Sequence, residues 1–253
     1  MTSDEAIGVR GKNAGVPDSV SQVTAILLCG GKGKRLRPFT ETMPKAMVML
    51  NDEPLLSHLL RYLMTAGIER FIVCVGDKAE AIESFLSENY PGSLQITCVN
   101  SGDASMTDRL LDARQHFDGR ALVCYGDTLA NVDLARLLTE HKTLQALATL
   151  TIYQMHSPFG VVRIDEAKRI TGFQEKPRLP YWINIGFLLC EPAVFQFLRR
   201  GSDMPTFLSA LSQAGVLYAH EHTGEHFTVN TEKDRALAET EIKFFTYPDG
   251  QPE

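Results

Sequence analysis

Four short, nearly continuous apolar runs limit the architectures open to this chain: VTAILLC (23–29), RFIVCV (70–75), LQITCV (94–99) and RALVCY (120–125). Runs of this length, rich in branched residues and without polar alternation, read as strands buried on both faces. Between them, PLLSHLLRYLMTAG (54–67), KAEAIESFLSEN (78–89) and SMTDRLLDARQHF (105–117) repeat apolar residues at helical spacing, and Gly67 is placed to end the first helix. The order βαβαβαβ predicts a mostly parallel sheet with helices on both faces and right-handed crossovers. Ligands of such sheets bind outside the carboxyl ends of the strands.

After Asp133 the rhythm changes. ALATLTIY (146–153), FGVVRI (159–164) and RITGFQE (169–175) follow one another across short turns, which predicts antiparallel strands, and WINIGFLLC (182–190) reads as another. EPAVFQFLRR and MPTFLSALSQAG read as helices, VLYAHEH as an alternating strand and TEKDRALAETEIKF as a final helix. The expected fold is therefore α/β: a mostly parallel, Rossmann-like sheet flanked by helices, joined to an antiparallel or mixed-sheet half. No linker or internal repeat interrupts it. We expect a flexible tail over 1–22, one domain over 23–245 with halves 23–135 and 136–245, and a second tail over 246–253. Asp133 is expected to cap the helix starting at Leu134.

A chain of 253 residues with a formal charge of -6 is a poor match for broad binding to nucleic acid or anionic membranes. No apolar stretch approaches the roughly 20 residues of a membrane span, and the first twenty residues lack a signal-peptide core, so a cytoplasmic address is expected. Cys29, Cys74, Cys98, Cys124 and Cys190 lie in or beside apolar runs and read as reduced core residues. Only Cys29, beside the glycine loop, comes near the setting a reactive thiol needs. His220, His222 and His226 lack the further ligands a zinc site requires and read as surface or substrate-edge residues.

Against this acidic background, ILLCGGKGKRLRPFTETMPKAMVML (26–50) gathers Gly30, Gly31 and Gly33 with Lys32, Lys34, Arg35 and Arg37 directly behind the first strand. Backbone without side chains beside clustered cations suits a phosphate chain. Gly33-Lys34 is followed by Arg35 where a Walker loop needs Ser or Thr, and Leu36 stands where the dinucleotide pattern needs its third glycine.

GGKGKRLRPFTETMPKAM resembles instead the signature of sugar-1-phosphate nucleotidyltransferases, with Lys34 replacing the usual Thr and Phe39 a Leu. The likeness continues in order through YGDTLANVDL (125–134), FGVVRIDEAKRITGFQEKP (159–177), WINIGF (182–187) and VNTEKD (229–234), while NSGDASMTDRLLDA (100–113) resembles the cytidylyltransferase branch. It implies attack by an acceptor phosphate on the α-phosphorus of a nucleoside triphosphate, CTP by preference, with release of pyrophosphate. The catalytic residues it implies are Arg35, Lys45, Asp127 and Lys176. For nucleotide binding it implies Leu28, Gly30, Gly31, Gly33, Lys34, Ser101, Gly102, Thr107, Asp108, Arg109 and Gly126, with Asp108 reading the base. Glu175, Lys176, Asn184 and Gly160 would hold the acceptor, with Tyr181 and Trp182 as an aromatic wall. Mg2+ is the implied cofactor, held by Asp127 and by Asn230, which stands where the family usually has Asp. Lys32, Lys34 and Arg37 read as solvated or weakly steering neighbours. The acceptor is expected to be a sugar 1-phosphate, with a non-sugar phosphate as the alternative. A non-catalytic nucleotide-binding protein remains the competing class, and self-association into a homo-oligomer is left open.

Overall fold

The apolar runs build the interior of one seven-stranded sheet. The structure is a computed structural model that describes residues 19–92, 94–242, 245 and 247. Strand β1 (Thr24–Leu28) is followed by three short 3-10 turns and a two-residue ladder of β2 (Met49–Leu50) and β3 (Glu53–Pro54). Helix α1 (Leu55–Thr65), β4 (Arg70–Val75), α2 (Ala79–Asn89), β5 (Gln95–Asn100), α3 (Met106–Ala113) and β6 (Ala121–Tyr125) complete the predicted alternation. Then come β7 (Thr128–Ala130), α4 (Leu134–Thr143), β8 (Ala148–His156), β9 (Val161–Ile164), β10 (Ile170–Gln174) and β11 (Arg178–Cys190). The last elements are α5 (Met204–Gln213), β12 (Leu217–His222), β13 (His226–Thr228) and α6 (Glu232–Glu241).

The strand order is β12-β8-β11-β6-β1-β4-β5. Only β11 runs against the others: β6, β1, β4 and β5 pair in parallel, as do β8 and β12. The expected α/β fold with a mostly parallel sheet is thus observed. Side chains alternate between two cores, as the two-residue period of a strand demands. In β1, Ala25 and Leu27 face the core of α1, α2 and α4, whereas Ile26 and Leu28 face that of α3 and α5. Such strands must be apolar throughout, which is why the runs showed no alternation.

Several expectations need correction. LQITCV lies at the edge of the sheet, so only Val99 of β5 is buried and Cys98 is exposed. Strand β8 does not form a meander with β9 and β10. It joins the central sheet, while β9 and β10 form a separate antiparallel ribbon. EPAVFQFLRR gives a 3-10 helix, Pro192–Phe197, in place of an α-helix. Order extends beyond both expected tail boundaries: Val20 packs on the core and Tyr247 is buried beside Phe245. Residues 1–18 and most of the C-terminal segment lie outside the described residues. His220 and His222 are buried, not superficial, with His220 Nδ1 2.6 Å from Glu140 Oε2 and His222 Nε2 donating to the Glu225 carbonyl at 3.0 Å. No helix among the described residues is long and apolar enough to cross a membrane.

Asp133 caps α4, accepting from the Arg136 N–H at 2.9 Å. Phe187 is fully buried with its ring edge-on to Tyr62 at 6.4 Å. Asp133→Ala is expected to cost about 1 kcal/mol, the usual worth of such a cap. Phe187→Ala should cost about 3–5 kcal/mol, the range for emptying a large aromatic site. Urea unfolding of both variants checks the contrast.

Candidate active site

The glycine loop leaves β1 at the carboxyl edge of the sheet and opens on a cleft of about 590 Å³. Its three glycines sit in three different settings. A Cβ on Gly30 would overlap the Arg109 guanidinium. Gly33 has φ +56°, and a Cβ there would come within 2.7 Å of Thr40, whose hydroxyl donates to the Gly33 carbonyl at 2.9 Å. Gly31 alone has open space where its side chain would be, and it lines the cleft. The close approach expected of all three glycines therefore belongs to Gly31. Gly126 is fixed by packing, since a Cβ would meet Cys29 Sγ at 2.6 Å and the Leu28 carbonyl at 2.9 Å. Leu28 and Gly126 both form part of the wall.

Arg109 is 4% exposed. It donates to the carbonyls of Gly30 at 3.0 Å, Gly102 at 2.7 Å and Val75. These belong to the glycine loop, the loop after β5 and the end of β4. The side chain expected to touch nucleotide thus joins the loops that would hold it. Helical geometry then sorts its neighbours, because residues three apart share a face. Met106 and Arg109 face the cleft. Thr107 turns away and donates to the Ser202 carbonyl at 2.6 Å, and Asp108 accepts from the Gly201 N–H at 2.8 Å. Ser101 and Gly102 do not line the cleft, whereas Asp103 and Ala104 do. The base-reading role expected of Asp108 is therefore corrected: its carboxylate serves the 199–203 turn. Lys32, expected to be solvated, pairs with Asp103 at 2.5 Å across the cleft mouth. Both partners are exposed, so this contact adds little stability.

At the opposite end four polar side chains converge. Lys45 Nζ lies 2.6 Å from Asp127 Oδ2 and 2.9 Å from Asn230 Oδ1, and Arg35 Nη2 lies 2.8 Å from the same amide oxygen. Asp127 follows β6, and Asn230 follows β13. The β7–β13 ladder, with Thr128 opposite Thr228, brings the two turns together, as does the Val229 N–H donating to the Asp127 carbonyl at 3.0 Å. Asn230 is held in turn by Asp234, which accepts from its N–H at 3.1 Å within the box that caps α6. Gly33 and Lys34 line an adjoining recess of about 230 Å³ with Arg35, Lys45, Asp127 and Asn230. The Lys45 ammonium sits where the oxygens of Asp127 and Asn230 converge. Among the described residues no group of three or more His, Cys, Asp or Glu side chains forms a self-sufficient metal cage.

The third side of the cleft is formed by Tyr125, Asn184, Ile185 and Thr228. Asn184 donates to the Tyr125 hydroxyl at 3.3 Å and accepts from the Gly186 N–H at 2.7 Å. Gly186, at φ +81°, makes room for the Tyr125 ring, which a Cβ would meet at 2.6 Å. Burial pushes the Tyr125 phenol up, and it stays protonated. Of the expected acceptor residues only Asn184 lines this wall. Gly160 and Glu175 adjoin each other at the base of the β9–β10 ribbon, and Lys176 is exposed at φ +44° beside them, all outside the cleft lining. Tyr181 and Trp182 are likewise exposed on the outer half of β11. The candidate thiol of Cys29 is buried, and burial drives its pKa up, which removes it as a nucleophile. His226, pushed down to about 4 by burial, is a neutral imidazole that contacts Thr228 Oγ1 at 3.0 Å. Tyr125, Ile185, Thr228, Asp103, Ala104 and Met106 were missed from sequence. Only the 106/109 helical spacing carried a signal for any of them.

Comparison with known proteins shows which family the sequence falls in. The family model described as "Nucleotidyl transferase" matches residues 24–225. Glucose-1-phosphate cytidylyltransferase of Salmonella typhi is 30% identical over 244 residues, covering 85% of this chain and 94% of the relative. Mannose-1-phosphate guanylyltransferase of Mycobacterium tuberculosis (strain ATCC 25618 / H37Rv) is 34% identical over 195 residues, covering 72% of this chain and 53% of the relative. Among solved structures, HddC from Yersinia pseudotuberculosis superposes with a TM-score of 0.68 at 20% identity, covering 87% of this chain and 100% of that one, a likeness of fold. With the loop, the paired turns and the sheet order all in place, the chain belongs to the nucleotidyl transferase family, and its relatives there are sugar-1-phosphate nucleotidyltransferases.

Proposed function

We propose that the chain transfers a nucleotidyl group from CTP to a sugar 1-phosphate with the help of Mg2+ and releases pyrophosphate. The observation that carries this reading is the cluster of Arg35, Lys45, Asp127 and Asn230 at one end of a cleft whose other end is shaped by Asp103, Ala104 and Met106. A triphosphate laid past Gly31 would place its charged end among the cations and its base beside Met106. An acceptor phosphate oxygen then forms a bond to the α-phosphorus as the bond to the β-phosphate oxygen breaks, and pyrophosphate carries away the electron pair. Chemistry of this kind asks chiefly for positioning and for cations on oxygens that gain charge. Arg35 offers a planar fork and Lys45 a mobile point charge for those oxygens. Asp127 and Asn230 supply the kind of sparse oxygen ligation that Mg2+ accepts when phosphates and water complete its shell. When bound there, Mg2+ would share the charge of the triphosphate. The cytidylyl choice rests on the relative matched along most of its length, and guanylyltransferases among the relatives make the nucleotide the point to test.

The direct experiment is a matrix of the four ribonucleoside triphosphates against several sugar 1-phosphates, read by pyrophosphate release. No release with any pair would refute the proposal. CTP should lead by at least about tenfold, roughly 1.4 kcal/mol and within reach of one or two base-edge hydrogen bonds. Met106→Ala should disturb that ranking, whereas Asp108→Ala should leave it intact and lower stability through the 199–203 turn. If UTP or GTP leads, the cytidylyl choice falls while the transfer chemistry stands.

Arg35→Ala should lower turnover about 10²-fold, the scale for losing one donor to a charged transition state. Arg37, exposed and outside the cleft lining, is the control, and Arg37→Ala should be nearly silent. Comparable turnover in the two variants would remove Arg35 from the catalytic set.

Asp127→Ala should lose activity that excess Mg2+ restores only in part, and Asn230→Asp should lower the Mg2+ needed for half-maximal rate, since a second carboxylate strengthens the site. A titration unchanged in both variants would place the ion elsewhere.

A further inference from the structure

The face of the sheet that packs on α3 and α5 changes character along its length. Toward the carboxyl edge it presents Ile26 and Leu28 of β1, Ile72 and Cys74 of β4 and Val99 of β5, all buried. At the amino edge the same face is polar. The parallel register sets Thr24, Arg70 and Gln95 abreast across three strands and Thr97 beside Ile72. The two-residue period keeps these side chains on the face of Ile26, Ile72 and Val99. The length of α3 explains the change. Its eight residues rise about 12 Å, whereas the six residues of β4 span about 20 Å, so the helix ends before the amino edge. The chain then turns through a 3-10 segment, Arg114–His116, into Phe117 and Asp118. Between that turn and the uncovered strand ends lies a cavity of about 370 Å³.

Arg70 makes this cavity more than a gap in the packing. Its side chain is half-buried and lines the cavity, Nη2 donates to the Gln22 carbonyl at 2.5 Å, and Nε is closed to solvent without a hydrogen-bond partner. Among the described residues no carboxylate pairs with it, Asp118 of the same cavity included. A partly buried guanidinium held by one neutral carbonyl keeps a desolvation cost that an anionic partner would offset. The groups around it are donors of the kind that hold an oxyanion: the amides of Gln95 and Gln115, the Thr97 hydroxyl and the His116 imidazole. Asp118 can only accept when ionised, and it suits hydroxyl groups on the body of such a ligand. The volume falls at the lower end of the roughly 300–1,000 Å³ of small-molecule sites.

We propose that the amino-edge cavity is a second ligand site, which takes a small hydroxylated molecule by one oxyanion group, a phosphate monoester or a carboxylate, held by Arg70. The cavity lies at the edge of the sheet opposite the candidate active site, so its occupant is not a reactant there. The proposal therefore stands whichever nucleotide or acceptor the cleft takes. Calorimetry of the full chain with glucose 6-phosphate and with gluconate tests it and tells the two headgroups apart. At least one of them should bind, one molecule per chain. Arg70→Met should weaken that binding about tenfold or more, the worth of one charge-assisted hydrogen bond. Thr97 is exposed on the edge strand, so Thr97→Trp should fill the cavity and abolish binding with the thermal midpoint retained. Arg35→Ala should leave the affinity unchanged, which separates this site from the cations of the cleft. On saturation the His116 ring-proton signal, identified by its loss in His116→Gln, should shift. Failure of both compounds to bind overturns the proposal. Binding that is unchanged in Arg70→Met, survives Thr97→Trp, is lost in Arg35→Ala or leaves the His116 signal in place overturns it as well, by putting the ligand elsewhere.

Discussion

One buried guanidinium organises the mouth of the cleft. Where parallel strands end together at a carboxyl edge, their last carbonyls lose the ladder that satisfied them, and a buried carbonyl without a donor is costly. Arg109 donates to three carbonyls near that edge, on Gly30, Val75 and Gly102, from a side chain almost closed to solvent. It also dictates sequence around itself. A Cβ on Gly30 would run into the guanidinium, and one on Gly76 would meet the Gly102 carbonyl at 2.4 Å and then the guanidinium. The glycine-rich loop thus owes one of its glycines to a contact with an arginine 79 residues away, and only Gly31 leaves its missing side chain as space for a ligand.

The opposite end depends on chain crossing, not on a single residue. Asp127 and Asn230 are far apart in sequence and adjacent in space because the short β7–β13 ladder closes the turns that carry them. Lys45 enters from the segment after the glycine loop and completes the cluster. Two cations facing one carboxylate and one neutral amide leave an excess of positive charge at this end of the cleft, within a chain whose formal charge is -6. The acidic remainder discourages polyanions in general, while the local excess favours a compact polyphosphate at one spot.

Much of this could be read from the residues. The strand runs could be recognised because central parallel strands must be apolar on both faces, and the caps because Asp133 has nothing else to do before an apolar helical stretch. Arg35, Lys45, Asp127 and Asn230 could be read because a resemblance preserved in order over the chain names turns, and turns at the carboxyl edge converge. Other features are set by tertiary neighbours that no local pattern encodes. LQITCV has the composition of an interior strand yet lies at an edge, since nothing in a run of six residues says whether another strand will flank it. Asp108 and Thr107 were misassigned because their partners, Gly201 and Ser202, come from the distant turn before α5. Helical spacing alone would have warned that 106 and 109 share a face that 107 and 108 do not. Gly160, Glu175 and Lys176, expected to hold the acceptor, belong to one matched block, but a block at the base of a separate ribbon need not face the cleft.

The single amide at position 230 links electrostatics to the order of events under the proposed reading. With a carboxylate there, two anionic side chains would balance Arg35 and Lys45, and the site would be ready to take a free divalent cation. With Asn230, the amide oxygen already accepts from both cations and brings no charge of its own. Were Mg2+ held there, an ion arriving alone would have to displace the Lys45 ammonium from Asp127 without the help of a second anion. A triphosphate changes that balance, because its oxygens offer Lys45 and Arg35 better partners and bring the missing negative charge. Under the proposed reading, electrostatics would make ion and nucleotide favour each other's binding, a coupling that linkage requires to act equally in both directions.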